Sequence, residues 1–289
     1  MAGETLIGVS SLVFVCSLVF AFSALIRAGQ RPILFSCILV ATLLFGGLLA
    51  GRLFWARLIP SGNVLFFSNL TPLLLSVGAG LCLQSHHVSR LWRPVSATLF
   101  LGLASGYILL PSVRPVLFPV TLSDSTIWKD DICLQSHPSS CAPAAAVTLL
   151  HLNGYESTER NLAHWCLTSS RGTEALGLYR GLNRALVRSK LKVQVAPSDS
   201  SKWIDQMAVP NVCLVRLGES KVNRLGGLFF GTGLWRVSAR GEGHAVVVKG
   251  KDSSGRWIIL DPAFGETLWS DHQLQERFTG EAIYLCKMD

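Results

Sequence analysis

The chain has 289 residues, of which 49% are hydrophobic and 15% charged, against about 25% charged for an ordinary soluble domain. The deficit is local: residues 1–120 hold seven Arg and one Glu, whereas residues 121–289 hold 19 Lys/Arg and 17 Asp/Glu. A single soluble globule is excluded. So is a nucleic-acid reader, because the net charge of +8 divides as +6 on the apolar part and +2 on the rest, with no concentrated basic face.

Four apolar runs come first, at about Thr5–Ile26, Ile33–Gly51, Val64–Leu83 and Val95–Leu110, each near the roughly 20 residues an α-helix needs to cross hydrocarbon. Arg27, Arg31, Arg52, Arg57, Arg90 and Arg93 lie between the runs, where charge can reach headgroups. The first run has no basic leading segment and is too long for the core of a signal peptide, so it reads as a retained helix. Residues 1–112 are therefore expected to form an α-helical membrane bundle of about four spans. No ionisable residue marks a transport path through it, which makes it an anchor in the lipid bilayer. An even number of spans puts both ends of the region on one face. Arg27, Arg31, Arg90 and Arg93 outnumber Arg52, Arg57 and Arg114 on the opposite face, so the positive-inside rule favours an extracytoplasmic C-terminal half.

Pro111, Pro115 and Pro119 do not suit a regular helix and mark residues 113–121 as a linker. A domain over 122–289 is long enough for one ordinary core. Its first elements read as helices. One runs from Pro143 to Leu152 with Asn153-Gly154 as its stop, and one from Ser157 to Cys166 with Glu159 in its first turn. A third follows Gly172-Thr173 and runs to about Val187, with Leu176, Tyr179, Leu182 and Leu186 at three- and four-residue spacing. Strand-like runs follow at Leu191–Val195, Val212–Leu217, His244–Gly250, Trp257–Leu260 and Ala282–Cys286. Helices first and strands afterwards predict an α+β fold with an antiparallel sheet. Residues 218–243 are Gly-rich yet apolar, the content of a hidden hairpin or of a flap that covers a cleft or touches the bilayer.

Cys141 stands just before the first of these helices, where unpaired N–H groups and the helix dipole stabilise a thiolate. Its base is sought downstream. His244 and Asp261 sit on two strands joined by Lys251–Gly255, and a turn centred between residues 252 and 253 sets them directly opposite each other. Asp261 then accepts the Nδ1–H of His244 and leaves Nε2 for Cys141. Gln135, six residues before Cys141, supplies an uncharged amide for an oxyanion. No C-x-x-C or H-E-x-x-H occurs, and neither a metal nor a cofactor is expected. Cys133, Cys166, Cys213 and Cys286 would form disulfides only in an oxidising compartment.

The pattern Gln135-x5-Cys141-x-Pro143-Ala144, Glu159-x-x-Leu162-Ala163, Thr168, Gly172-Thr173, Gly243-His244 and Asp261-Pro262 resembles the bacteriocin-processing cysteine peptidase domain. That papain-like family is best known from the N-terminus of ABC exporters whose substrates carry double-glycine leaders. The resemblance covers about residues 130–286. It implies Cys141 as nucleophile, His244 as general base, Asp261 as its orienting carboxylate and Gln135 as oxyanion donor. It further implies a peptide or protein substrate and a bacterial inner-membrane location. The family's usual Gly after the nucleophile is Ala142 here. No G-x-x-x-x-G-K-[ST] is present, so an ABC exporter would be a separate partner. Two other readings stand beside the peptidase: a catalytically silent peptide-binding membrane module, and a transglutaminase-like acyl transferase that shares the Cys, His, Asp order.

Overall fold

The computed structural model describes residues 2–25, 32–86, 88–196, 207–217 and 242–287. Residues 218–241 lie outside the described residues, and with them almost all of the Gly-rich apolar segment. The chain divides into two compact units, the first holding the described residues up to Gly51 with Leu65–Val113, the second Arg52–Val64 with the described residues from Arg114 onward.

The apolar part forms α1 (Ala2–Leu25), α2 (Pro32–Leu48), α3 (Phe54–Leu58), α4 (Val64–Phe67), α5 (Thr71–Gln84) and α6 (Trp92–Leu117). Two of these, α1 and α6, are long and apolar enough to cross a membrane, and only 17% of each apolar window is buried. A soluble core helix would be mostly buried. The expectation of about four spans is corrected on this point. The third run breaks after Phe67, where the Asn69 side chain accepts the Thr71 N–H at 3.1 Å and Pro72 opens the next helix. The remaining α5 has 14 residues, or about 21 Å at 1.5 Å per residue, against a hydrocarbon core of about 30 Å. α2 has 17 residues and ends in a turn closed by Gly51, whose φ of +73° suits a residue without Cβ. α5 packs against both α1 and α2. A Cβ at Gly80 would lie 2.0 Å from Ser23 Oγ and 2.8 Å from the Ala24 nitrogen, so glycine is what allows α1 and α5 to approach.

The prolines near the end of this region do not stop the helix. α6 continues through Pro111 and Pro115 to Leu117, so Val113–Leu117, read from the sequence as linker, are helical. Each interior proline costs on the order of 3 kcal/mol. The last turn is held in the second unit by several contacts that offset this cost. Arg114 Nη1 meets Glu174 Oε1 at 2.7 Å, Arg114 Nη2 donates to the Arg171 carbonyl at 3.2 Å, and the Arg171 guanidinium lies 3.7 Å over the Phe118 ring.

The second unit carries a short hairpin, β1 (Ile127–Lys129) with β2 (Ile132–Leu134), then α7 (Cys141–Leu152), α8 (Glu159–Trp165) and α9 (Ala175–Ala185). β3 (Leu191–Val195), β4 (Asn211–Leu217), β5 (Glu242–Lys251), β6 (Trp257–Asp261), β7 (Gly265–Trp269), α10 (Asp271–Arg277) and β8 (Phe278–Lys287) follow. Helices followed by an antiparallel sheet make this an α+β unit. The six strands are ordered β3-β8-β4-β5-β6-β7. α7 packs on β4 and β5, and its residues Ala142–Leu150 are all buried. The small side chains Ala144, Ala145 and Ala146 are fully buried and let this helix lie close to its neighbours. β7, the β1–β2 hairpin and α10 are not expected from the sequence pattern. α10 announces itself only through the reciprocal capping box of Ser270 and Gln273.

Segment Arg52–Val64, expected from the sequence to be a loop between spans, belongs to this second unit. Leu53 is 1% exposed, and its N–H donates to Glu281 Oε1 on β8 at 3.0 Å.

Candidate active site

Four local devices bring the site together. The first is the start of α7. Ser140 is the N-cap residue and Cys141 the first helical residue, so Cys141 opens the turn whose amides have no partner within the helix. Cys141 is a free, half-buried thiol. Ala142, where the resembled family has Gly, is buried and helical, a backbone open to any L-residue.

The second device is the β5–β6 ladder, and here the expected register is corrected. Val248 pairs with Ile259 and Val247 with Leu260, but Gly250 pairs with Ile258 and Lys251 with Trp257, so the ladder shifts by one residue at Lys249. The turn is longer than a two-residue hairpin because Asp252 Oδ1 gathers the Ser254 and Arg256 N–H groups at 2.9 and 2.8 Å. Continuing the Val247–Leu260 register places Asp261 across from Val246. His244 is thus its diagonal neighbour rather than its direct partner, a separation of about 7–8 Å between backbones that an imidazole and a carboxylate together span.

They do meet. His244 Nε2 lies 2.8 Å from Asp261 Oδ1, with the two side chains 9% and 4% exposed. This reverses the expected ring assignment: Nε2, not Nδ1, faces the carboxylate, because a diagonal approach brings the far end of the ring to Asp261. Cys141 is the other group whose proximity acts on the His244 imidazole. Burial alone would pull the imidazole downward, but the hydrogen bond to Asp261, the nearby Cys141 and the charge of Asp261 outweigh it, pushing the His244 pKa from 6.5 up to about 9.

The third device is the turn after β6. Asp261 Oδ1 also accepts the Ala263 N–H at 2.8 Å, which fixes the carboxylate from its own chain. The Pro262 carbonyl accepts the Gln135 N–H at 2.9 Å, and this bond ties the Gln135 segment to the Asp261 corner.

The fourth device is the loop 135–140. Gln135 Nε2 donates to the His137 carbonyl at 3.2 Å, and the same oxygen accepts Ser140 N–H at 3.0 Å and Ser140 Oγ at 2.7 Å. Gln135 and the residue preceding Cys141 are therefore anchored on one atom. One N–H of the Gln135 amide remains for another acceptor, while its Oε1 is buried with no hydrogen-bond partner. The parts played by His137 and Ser140 are not evident from the sequence. Only Ser140, a helix-capping residue type at a helix start, carries a local signal.

The other thiols of this unit are of a different kind. Burial, with some help from the Glu159 charge, pushes Cys133 up to about 12. Burial likewise raises Cys166 to about 12 against the lowering influence of Arg180, and it raises Cys213 as well. All eight cysteines, including Cys286, are free.

The sequence matches no family profile and no curated protein. The structure is similar to the peptidase domain of Streptococcus ComA, a bi-functional ABC transporter involved in a quorum sensing pathway, at 20% identity and a TM-score of 0.41, covering 54% of this chain and 98% of that one. It is also similar to a double glycine motif protease from an AMS/PCAT transporter, determined in complex with the leader peptide, at 16% identity and a TM-score of 0.41, covering 58% of this chain and 97% of that one. The peptidase domain of Streptococcus mutans ComA matches at 22% identity and a TM-score of 0.35, over 54% of this chain and 98% of that one.

Proposed function

We propose that the chain is a membrane-anchored cysteine peptidase in which Cys141 is the nucleophile, His244 the acid–base group, Asp261 its orienting carboxylate and Gln135 an oxyanion donor. The observation that carries this reading is the 2.8 Å contact of His244 Nε2 with Asp261, and Cys141 at the start of a helix supports it. In the reaction, the Cys141 sulfur forms a bond to the peptide carbonyl carbon and the C=O electron pair moves onto oxygen. The free N–H of Gln135 and the amides of the first turn of α7 meet that charge. Collapse expels the amine, which takes the imidazolium proton of His244. Water then gives its proton to His244 and its oxygen to the acyl carbon, releasing the acid and the thiolate.

The substrate is a peptide or a protein segment. The sequence resemblance makes one ending in two glycines the first to try. α1 and α6 anchor the chain in a bilayer, and an ABC exporter is the partner that the sequence resemblance suggests.

Alkylation of the full chain by iodoacetamide at pH 6 is the test. Cys141 reacts faster than a simple thiol there, His244→Ala removes the excess, and Cys133, Cys166 and Cys213 stay unlabelled until the chain is unfolded. A Cys141 that reacts no faster than a simple thiol overturns the reading. Comparison of protein termini in the native host with those produced by Cys141→Ser then identifies what is cleaved.

A further inference from the structure

We infer that Glu159 is a positioning residue for the oxyanion amide: its buried carboxylate holds Ser136 and so sets the side chain of Gln135 for acyl transfer. The inference rests on the peptidase reading and deepens it. Glu159 opens α8 and is 2% exposed, a burial that a carboxylate tolerates only with full hydrogen bonding. Both oxygens are engaged by one residue. Oε1 accepts the Ser136 N–H at 3.0 Å, and Oε2 accepts the Ser136 hydroxyl at 2.7 Å. The hydroxyl oxygen in turn accepts the Ser123 N–H at 3.1 Å.

The neighbouring peptide unit is fixed independently, because the Gln135 N–H donates to the Pro262 carbonyl at 2.9 Å. Two consecutive amides are thus held by different elements, one by α8 and the other by the turn beside Asp261. With its backbone fixed on both sides, the Gln135 side chain ends at the His137 carbonyl, which takes one N–H of the amide. Turning the amide over would set its Oε1 against that carbonyl oxygen, so the buried Oε1 keeps no partner and Nε2 keeps a second N–H for the oxyanion. Releasing Ser136 from Glu159 frees the segment and lets the amide leave this orientation. A displacement of about 1 Å is costly for a preorganised donor.

Two reactions of the same thiol separate this role from general stability. Alkylation by iodoacetamide builds no oxyanion. Acylation by p-nitrophenyl acetate joins Cys141 sulfur to the acetyl carbon through a tetrahedral oxyanion and expels p-nitrophenolate. For the full chain in detergent micelles, the ratio of acylation rate to alkylation rate is expected to fall about 100-fold in Gln135→Ala and about 10-fold in Glu159→Gln. In the double variant it falls no further than in Gln135→Ala alone. Ser136→Ala, which removes only the hydroxyl donor, should lower the ratio in the same direction and serves if Glu159→Gln does not fold. Losses that multiply in the double variant, or an unchanged ratio in both Glu159→Gln and Ser136→Ala, overturn the role of Glu159 while leaving the peptidase reading intact. A wild-type Cys141 that is neither activated toward iodoacetamide nor acylated overturns both.

Discussion

Replacing Asp261 with Asn keeps the volume and one acceptor oxygen but removes the charge that faces His244. The imidazole pKa stands at about 9 instead of 6.5, a span of about 2.5 pH units that is worth about 3 kcal/mol at roughly 1.4 kcal/mol per unit. This is the net of burial, which works against the charged ring, and of Asp261 and Cys141, which favour it. The folded value lies above the unfolded one, so the stabilisation is fully present below pH 6.5 and is lost as pH rises through about 9. Asp261 contributes both a hydrogen bond and a charge, so a large part of the effect, on the order of 1–2 kcal/mol, should disappear in Asp261→Asn. The assay is urea unfolding of the second unit within the full chain, followed by Trp fluorescence at pH 6 and pH 10. Wild type should lose more stability between the two than Asp261→Asn does. Groups that titrate identically in both proteins cancel in this difference. Equal losses for the two proteins would refute the assignment of the raised His244 pKa to Asp261.

Two further substitutions test the framework around the site. At Gly177 on α9 a Cβ would lie 2.4 Å from the Cys166 carbonyl oxygen, an atom of backbone that cannot step aside. Gly177→Ala should therefore destabilise by about 1–3 kcal/mol through overpacking, seen as a lower urea midpoint, and an unchanged midpoint would show that α8 and α9 separate freely. Arg114→Ala removes the 2.7 Å contact with Glu174, a pair whose side chains are 16% and 29% exposed. It should cost about 1 kcal/mol and speed proteolytic cleavage near Phe118, whereas cleavage at the wild-type rate would show that the end of α6 is held by other contacts.

Part of the site is legible in the amino-acid sequence because some of its chemistry is local. Cys141 at a helix start follows from Pro143 and the small apolar residues after it, since capping and helix propensity act within a few residues. The strands bearing His244 and Asp261 are likewise visible as β-branched runs between turn residues. Their pairing is not. A ladder shift at Lys249 depends on how the Asp252 side chain shapes its turn and on the packing of β5 between β4 and β6, so His244 is a diagonal neighbour of Asp261 and its Nε2 is the contact atom. Glu159 shows the same limit from the other side. In the sequence it is an acid in a first helical turn, where a favourable dipole interaction accounts for it. That it reaches Ser136, 23 residues earlier in the chain, is a property of the folded packing.

The apolar part divides in the same way. Composition alone separates a charge-poor region from an ordinary domain, since the hydrophobic effect and charge solvation depend on what each segment contains. Local residues break one apolar run, at Asn69 and Pro72, but tertiary structure decides the others: contacts of Arg114 and Arg171 carry one run past two prolines, and segment Arg52–Val64 buries Leu53 in the second unit. Patterns set by neighbouring residues can be read from the chain. Contacts between residues far apart in sequence are decided only where folding repays the entropy of bringing them together.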